Sequence, residues 1–487
     1  MANPTMTRTA SGVCATAAAL SLGFLASCDK AGPTGNAIAK GPEPSRTVFV
    51  QLFEWKWPDV ARECEEFLGP AGYAAVQVSP PNEHVPGPEW WTRYQPVSYQ
   101  LQSRGGTREQ FADMVRRCRN AGVGIYADAV INHMSYVGIG TGVAGSGFAE
   151  YEYPVPYTYG DFHHCGRNGD DTIQNYQDLW EVQNCELVKL ADLDTGKAAV
   201  QTKIADYLND LLDLGVAGFR IDAAKHMAVD DVAGILNRLK TKAHVYQEVI
   251  DRGGEPINAH DYLKNGLVSE FKYPLVLLDA FTAGKLDGLN ELSSRPGFLP
   301  PDAAVVFVDN HDIQRGHAGA GDVLNYKSGK IYELANVFML AWPYGYPMVM
   351  SSYRFDGGDQ GPPDSRPIDN NSGSCGEAWV CEHRLPSIAG MVRFRNATDG
   401  LAVSNWQALS STAIAFGRGD RGFVIINIGA EPINPAIQSG MLPGEYCNAV
   451  TGCEGPRLEV RADGTLSTTL PPMSAVAIHS GTRTNRK

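Results

Sequence analysis

Eight short apolar runs recur along this chain of 487 residues, and they constrain its fold more than any other feature. Nearly continuous apolar runs of this length are typical of strands that are buried on both faces of a parallel sheet. Helical patterns such as 107–122 and 197–215 lie between them. This alternation predicts a closed (β/α)8 TIM barrel, an α/β fold whose strands are TVFVQLF, YAAVQVS, GIYADAV, VAGFRID, HVYQEVI, GLVSEFK, AVVFVDN and YPMVMSS.

Two segments depart from the rhythm of strand and helix. Residues 133–195 are rich in Gly, Tyr and Asp, and a loop of that length is rarely structureless, so we expect an inserted irregular domain after the third strand. Residues 398–487 contain short strands with Gly-rich turns, which predicts a C-terminal antiparallel β-sandwich domain. The catalytic barrel is then built from 47–132 and 196–397.

The N-terminal segment has the pattern of an export signal. Residues 1–27 combine one Arg with an apolar stretch too short to span a membrane as a mature helix, which is typical of a signal peptide. The signal ends in LASC, which resembles a bacterial lipobox, and residues 28–46 are a Gly- and Pro-rich flexible linker. We therefore expect an exported protein that is lipid-anchored through Cys28, with an ordinary secreted protein as the alternative.

The net charge argues against some classes of partner, and the cysteine count predicts disulfides. A formal net charge of −13 argues against nucleic acid or an anionic membrane surface as the main partner, and we expect a monomer. Eight of the 10 cysteines remain once Cys14 and Cys28 are set aside. An even number in an exported chain predicts disulfides, although composition alone leaves 105 ways to pair them.

Polar side chains collect where the predicted strands end. In VAGFRIDAAKH, Arg220 and Asp222 alternate with Phe219 and Ile221, so a cation and a carboxylate share one side of a buried strand. A structural ion pair would explain these two alone. The carboxyl ends of barrel strands form one rim, however, and this rim also collects Asp128, Asn132, His133, Lys225, His226, Glu248, Asp309, Asn310, His311 and Asp312. So many carboxylates and histidines at one rim indicate an active site.

Four of these segments carry a resemblance to a known family. DAVINH, GFRIDAAKH, QEVI and FVDNHD are similar, in order and in kind, to the signature segments of the alpha-amylase family of glycoside hydrolases. QLFEWKW, YAAVQVSPPNEH, WWTRYQPVSY and VCEHR resemble the animal-type members, and the similarity extends over about residues 47–480. The resemblance implies endo-hydrolysis of α-1,4-glucosidic linkages in starch, glycogen and maltooligosaccharides, with retention through a covalent glycosyl-enzyme intermediate.

The resemblance also implies roles for individual residues. Asp222 corresponds to the nucleophile, Glu248 to the general acid/base and Asp312 to the transition-state stabiliser. Arg220 is expected to keep Asp222 ionised, while crowding by anions is expected to hold a proton on Glu248. The segment 316–321 resembles a mobile lid with His317 at its tip. The residues that resemble substrate-binding positions are Trp90, Trp91, Tyr94, His133, Tyr176, Arg220, Lys225, His226, His311 and His317.

Metal, anion and disulfide expectations follow from the same resemblance. Asn132 and Asp192 correspond to calcium ligands, with main-chain oxygens expected from Gln183 and His226. The position of a basic chloride ligand is occupied by Met348, so we expect chloride to be absent or weakly bound. The implied disulfides are Cys64–Cys118, Cys165–Cys185, Cys375–Cys381 and Cys447–Cys453.

Two other functions remain open on the sequence. A noncatalytic carbohydrate-binding protein could keep the barrel, but it would not need the three carboxylates Asp222, Glu248 and Asp312. A transglycosylase would use the same carboxylates, because sugar and water compete for one covalent intermediate. Product analysis on maltooligosaccharides separates these functions.

Overall fold

The structure, a computed structural model, describes residues 46–136, 138–319 and 321–484, and it confirms the predicted barrel. The signal peptide, most of the linker and the lipobox Cys28 lie outside the described residues. In chain order the eight parallel strands are Phe49–Leu52 (β1), Ala75–Val78 (β2), Gly124–Ala129 (β3), Gly218–Ile221 (β4), His244–Gln247 (β5), Leu267–Ser269 (β6), Ala304–Val306 (β7) and Tyr346–Ser351 (β8). They close in the order β1-β8-β7-β6-β5-β4-β3-β2.

Strand β1 shows why these runs are apolar on both sides. All four of its residues are buried. Val50 and Leu52 pack in the layer between barrel and helices, whereas Phe49 packs inside the barrel, 5.5 Å from the ring of Tyr126. Burying each such side chain contributes about 1.5–3 kcal/mol, so both layers stabilise the strand. Gln51 shares the inner side with Phe49 because side chains alternate along a strand.

The helices cover the barrel with amphipathic faces. The helix Arg108–Asn120 begins at a capping box, in which the Thr107 hydroxyl accepts from the Gln110 amide and the Gln110 side chain accepts from the Thr107 amide. Its buried residues recur at helical spacing and face the core. Within the described ranges the α-helices are Trp57–Glu63, Gly69–Ala71, Arg108–Asn120, Leu179–Asn184, Ala198–Asp213, Val229–Leu236, Lys272–Thr282, Lys330–Ala341 and Pro386–Ala397, with a π-helical turn at Cys64–Leu68.

The segment between β3 and β4, where an inserted domain is predicted, contains little regular structure. His133–Tyr136 pairs antiparallel with Leu190–Asp192, and Gly140–Thr141 pairs with Gly147–Phe148. The Cys165–Cys185 disulfide joins two of its loops. The first of these pairs brings the start and the end of the insertion together at the barrel rim.

The C-terminal segment forms two antiparallel sheets that share one core. One sheet contains Val403–Ser410, Ala413–Arg418, Gly422–Asn427 and Ser474–His479, and the other contains Ala436–Gln438, Gly444–Tyr446, Leu458–Val460, Thr465–Ser467 and Arg483–Thr484. Phe423 and Ile425 of the first sheet pack with Leu458 and Leu466 of the second, which is the arrangement of a sandwich. All four expected disulfides are present. None of the helices described here combines the length and the apolar character that crossing a bilayer requires.

Candidate active site

A single guanidinium lies at the centre of the carboxylate cluster. Strand register places Asp128 of β3 beside Arg220 of β4, and Arg220 Nη1 donates to Asp128 Oδ1 at 2.7 Å and to Asp222 Oδ1 at 2.8 Å. Arg220 Nη2 donates to Glu248 Oε1 and lies 4.0 Å from Asp312 Oδ2. Four carboxyls from the ends of four strands or the loops after them therefore surround one cation. The structure thus brings together the three residues predicted to be catalytic.

Arg220 is expected from the sequence to pair with Asp222, and in the structure it also binds Asp128 and Glu248. Burial raises the pKa of Asp222 well above its usual range, and Arg220 opposes this effect while neighbouring anions add to it. Burial also raises the pKa of Asp128, again against the influence of Arg220. One guanidinium does not offset the burial of so many carboxyls, and the pKa values of Asp128, Asp222 and Asp312 all lie above their usual range.

The third carboxyl, Asp312, provides a pH-dependent test. Burial, with Glu248 as the next cause, raises its pKa from 3.8 to about 7. Between these two values the folded state binds more protons than the unfolded state, so this carboxyl lowers stability as pH rises. We expect Asp312→Asn to raise Tm by about 2 °C or more at pH 8 and by less at pH 5, measured by calorimetry. The control Asp420→Asn removes an exposed charge and should leave the difference between the two pH values unchanged. An Asp312→Asn protein that is less stable at pH 8 would contradict this assignment.

The turn after β4 is strained in a way that serves the site. Ala223 has a φ of 48°, a left-handed conformation that is uncommon for residues other than Gly. The strained turn directs the Ala223 amide at Glu248, whose Oε2 accepts from it at 3.1 Å. Glu248 is therefore held by Arg220 on one oxygen and by a main-chain donor on the other. Such an outlier beside charged groups is typical of a functional site.

Above the carboxyls lies a cleft with a volume of about 570 Å³. Asp222, Glu248 and Asp312 reach its surface, whereas Arg220 lies beneath its floor and lines a separate small cavity. The other residues predicted to bind substrate all line the cleft, namely Trp90, Trp91, Tyr94, His133, Tyr176, Lys225, His226, His311 and His317. The lid expected at 316–321 includes residue 320, which is outside the described residues, but Ala318 and Gly319 line the cleft.

Aromatic side chains form one wall of the cleft. Trp90 is buried, and its indole N–H donates to Gly358 O at 2.8 Å, so its ring is held in place. Tyr94 donates its hydroxyl to Asp128 Oδ2 at 2.9 Å, which links the wall to the carboxylate cluster. Tyr176 is 38% exposed, and the Lys225 ammonium lies 5.3 Å from its ring. Rings that present one face to a cleft suit the apolar faces of sugar rings.

Several cleft residues were not predicted. Leu187, Val188 and Leu190 come from the inserted domain, where no periodic pattern marks a contact. Ile250, Arg252 and Glu255 follow β5, and only their place after a barrel strand could have indicated them. Asp128 could have been assigned a role, because it alternates on its strand as Arg220 does on the next.

The predicted calcium ligands offer oxygen donors that fit a hard cation. Asn132 Nδ2 donates to Asp192 Oδ1 at 3.1 Å, and both residues are buried. Asn132 Oδ1 is also buried, and within the described structure it has no hydrogen-bond partner. His226 Nδ1 donates to Val182 O at 3.1 Å, so the His226 side chain contacts the main chain next to Gln183. In the part of the chain described, no group of three or more His, Cys, Asp and Glu side chains forms a metal site, so amide and main-chain oxygens would have to supply the remaining ligands.

A second, much smaller cavity of about 10 Å³ lies under the catalytic carboxyls. Arg220, Asn310 and Met348 are among its lining residues, as are Gln51 and His311. The Met348 sulfur lies 4.0 Å from the Tyr246 hydroxyl. A thioether has no N–H to donate to an anion, so Met348 adds no anion ligand to this cavity.

Comparison with known proteins finds extensive similarity. Residues 88–264 match the family model "Alpha amylase, catalytic domain", and residues 404–481 match "Alpha amylase, C-terminal all-beta domain". The chain is 44% identical to alpha-amylase 1B of Homo sapiens over 468 residues, which is 87% of this chain and 91% of the human protein. It is 43% identical to pancreatic alpha-amylase 2a5 of Mus musculus over 464 residues, with 86% and 91% covered. Among solved structures, wild-type alpha-amylase I from Eisenia fetida superposes with a TM-score of 0.85 at 40% identity, covering 90% of this chain and 98% of that chain. A variant of that enzyme has been solved in complex with maltohexaose.

Proposed function

Because the chain belongs to the alpha-amylase family of glycoside hydrolases, we propose that it cleaves internal α-1,4-glucosidic linkages of starch-type glucans, with Asp222, Glu248 and Asp312 as its catalytic residues. The observation that carries the proposal is the convergence of these carboxyls on Arg220 at the base of a cleft lined by aromatic rings. A noncatalytic binding protein would have no use for such a cluster, since clustered buried carboxyls destabilise the fold.

The geometry favours retention at the anomeric carbon. Asp222 and Glu248 bind two terminal nitrogens of the same guanidinium, so they lie close together. Retaining enzymes hold their two carboxyls about 5–5.5 Å apart, whereas inverting enzymes leave about 6.5–9.5 Å for a water molecule between carboxyl and sugar. A shared Arg supports the shorter separation.

The proposed mechanism has two steps. Asp222 attacks the anomeric carbon while Glu248 gives its proton to the departing glycosidic oxygen, which breaks the linkage and leaves a glycosyl ester on Asp222. Glu248, now ionised, takes a proton from a water molecule, which attacks the same carbon, releases the sugar and leaves Glu248 protonated again. Asp312 and His311 bind hydroxyl groups of the sugar whose ring distorts toward the transition state.

Starch digestion followed by chromatography of the sugars tests this function. We expect a falling chain length with maltooligosaccharides of mixed size, because an endo-acting enzyme cuts within the polymer. Products longer than a maltooligosaccharide substrate would instead identify transglycosylation. Binding of starch without any cleavage would refute the enzymatic proposal.

We also propose that a calcium ion clamps the inserted domain to the barrel. Asn132 Oδ1, Asp192 and the main-chain oxygens of Gln183 and His226 would hold it, and the orphaned Asn132 oxygen supports this set. Oxygen ligands drawn from both walls of the cleft suit Ca²⁺, which accepts six to eight of them. The bound ion would supply charge that holds the two walls together.

Removal of calcium provides a second test with a readout in stability. A ligand present at 100 times its Kd stabilises the folded state by about 2.7 kcal/mol, so EDTA should lower Tm by several degrees and reduce starch hydrolysis. Added Ca²⁺ should restore both, whereas Mg²⁺ should not, because it demands a smaller octahedral site. Asn132→Ala should lose most of the EDTA response. A Tm unchanged by EDTA in the wild-type protein would exclude the clamp.

Activity is expected to be largely independent of chloride. The small cavity under the carboxyls offers Arg220 and Asn310 but has Met348 where the family resemblance expects a basic ligand. Arg220 already binds three carboxyls, so a bound chloride is not needed to explain why an arginine occupies this position. Dialysis into chloride-free buffer should leave kcat on starch within about twofold of its value in NaCl. A large loss that NaCl restores would show that the site binds chloride without a third basic ligand.

We propose that the protein acts outside the cytoplasm. Its four disulfides fit an oxidising compartment, in which such bonds persist. Lipid attachment at Cys28 is the finer proposal, and globomycin-sensitive processing or a lipidated N-terminal peptide in mass spectrometry would test it. Processing at another residue would indicate an ordinary secreted enzyme.

A further inference from the structure

A buried amide on β1, which only β8 separates from β7 in the barrel, contacts the histidine next to Asp312. Gln51 lies in the middle of β1, and His311 follows β7, 260 residues along the chain. Both side chains are almost fully buried, at 1% exposed. Gln51 Nε2 lies 2.9 Å from His311 Nδ1, which is a hydrogen-bond distance. The other ring nitrogen, Nε2, lies 3.4 Å from Asp312 Oδ2 and faces the cleft.

The His311 ring is held in one orientation by aromatic neighbours. Tyr94 stacks on it with ring centroids 5.1 Å apart and planes 14° apart, and Phe53 lies at 4.9 Å. Trp90 meets the ring edge to face at 5.5 Å. Because the ring is enclosed in this way, Nδ1 stays toward Gln51 and Nε2 stays toward the cleft.

His311 carries one proton on its ring. Burial, with the cations Arg220 and Arg315 as further causes, lowers its pKa well below the usual value, so the imidazole is neutral. A neutral imidazole has one N–H and one acceptor nitrogen, and the partner of one nitrogen decides what the other can do.

The hydrogen-bond donors and acceptors around His311 favour one tautomer over the other. If Gln51 donates its amide N–H to Nδ1, the ring proton lies on Nε2 and points toward the Asp312 carboxylate. The reverse arrangement would turn the Gln51 amide over, so that its NH₂ group took the place of Oε1, and would aim the Nε2 lone pair at an Asp312 oxygen. Either arrangement leaves one end of the amide without a protein partner, so the contact with Asp312 decides between them: an ionised carboxylate accepts from Nε2–H and repels a lone pair, which makes the first arrangement the stable one. Its one orphan, Gln51 Oε1, lies beside the 10 Å³ cavity, where a single water molecule fits.

We propose that Gln51 is a positioning residue that holds His311 in the tautomer with its proton on Nε2, so that this N–H donates to a hydroxyl group of the sugar in the cleft. The inference rests on the proposed function only for the identity of that acceptor. Gln51 itself lies behind the histidine and touches no part of the substrate. Its effect passes through the histidine, in the way that the partner of one ring nitrogen sets the role of the other at many histidine sites.

Two measurements test this role, and the first needs no activity. Long-range ¹H–¹⁵N correlation spectra of the full-length protein report which ring nitrogen of His311 carries the proton. The His311 signals are assigned as those missing from the spectrum of His311→Gln. We expect the Nε2–H tautomer in the wild-type protein. We expect Gln51→Glu to move the proton to Nδ1, because a carboxylate can only accept. A wild-type Nδ1–H tautomer or an imidazolium would overturn the proposal.

The second measurement is kinetic. Gln51→Met keeps the size of the side chain but removes the donor, and we expect kcat on maltooligosaccharides to fall about 10- to 100-fold with a much smaller change in KM, since the lost N–H acts in the transition state. Gln201→Met is the matched control, because Gln201 is also buried and donates only to the main-chain oxygen of Thr195. It should lower Tm to a similar extent and leave kcat unchanged. A Gln51→Met enzyme with kcat within twofold of wild type would overturn the proposal. A wild-type protein that does not hydrolyse glucans would instead contradict the proposed function and would leave the tautomer of His311 untouched.

Discussion

Glu248→Gln is expected to lower kcat on starch by about 10³- to 10⁴-fold, because an amide can neither give a proton to the departing oxygen nor take one from water. The shape of the side chain is retained, but a Gln has one acceptor oxygen where Glu248 uses two, so the hydrogen bond from either Arg220 or the Ala223 amide is lost and Tm should fall, while KM should change little. The measurement is a comparison of kcat and KM on a maltooligosaccharide with those on an aryl maltoside that has an acidic phenol as its leaving group. The aryl substrate needs no proton in the first step, so its bond cleavage should be far less affected.

The matched control is Glu270→Gln. Glu270 is also a buried glutamate at the end of a barrel strand, but it accepts from the Leu299 and Lys272 amides and does not line the cleft. Its substitution should leave kcat within a few-fold of wild type. Near-normal starch cleavage by Glu248→Gln, or an equal loss on both substrates, would contradict the acid/base role.

Replacement of Arg220 by Leu is expected to affect stability and activity together. Arg220 is 3% exposed and its guanidinium binds Asp128, Asp222 and Glu248, so its loss leaves buried carboxyls without a cation. Breaking a buried ion pair by removing one partner costs about 3–5 kcal/mol. We therefore expect a lower free energy of unfolding by about that amount, measured in guanidinium chloride, and a kcat reduced at least 100-fold, because the pKa of Asp222, which burial already raises, would rise further without the cation that opposes this effect.

Two further variants separate the electrostatic role from simple packing. Arg220→Lys keeps a charge but lacks the planar fork that binds two partners at once, so both losses should be intermediate. Arg418→Leu removes another buried arginine, which donates to the main-chain oxygens of Leu401, Ala341 and Thr398. It should lower stability with no change in kcat. An active, fully stable Arg220→Leu protein would show that the carboxyls do not depend on this cation.

The barrel could be predicted from sequence because its signal is local. Apolar runs and amphipathic helices repeat within windows of a few residues, and alternation along one strand was enough to place Arg220 and Asp222 on the same side. The same reasoning placed Asp128 at this rim, but its contact with Arg220 depends on the register of the neighbouring strand. The family resemblance supplied the roles and the disulfide pairs, which spacing alone left open.

The remaining features depend on contacts between distant residues, which a local sequence pattern cannot predict. Gln51 has the sequence environment of any buried strand residue, and its partner His311 is 260 positions away along the chain. The cleft residues of the inserted domain, such as Val188, come from segments without periodicity. The sharing of Arg220 among several carboxyls also could not be predicted, because it depends on where four strands end relative to one another.

The central claim is that Asp222 attacks the sugar while Glu248 works beside it, and trapping the covalent intermediate tests this most directly. A fluorinated maltosyl fluoride that forms the glycosyl ester quickly but hydrolyses slowly would be incubated with the wild-type enzyme, followed by peptide mass spectrometry. We predict that one glycosyl group is attached and that it lies on Asp222. A label on another residue, or the release of products with inverted configuration and no label, would contradict the assignment of the site.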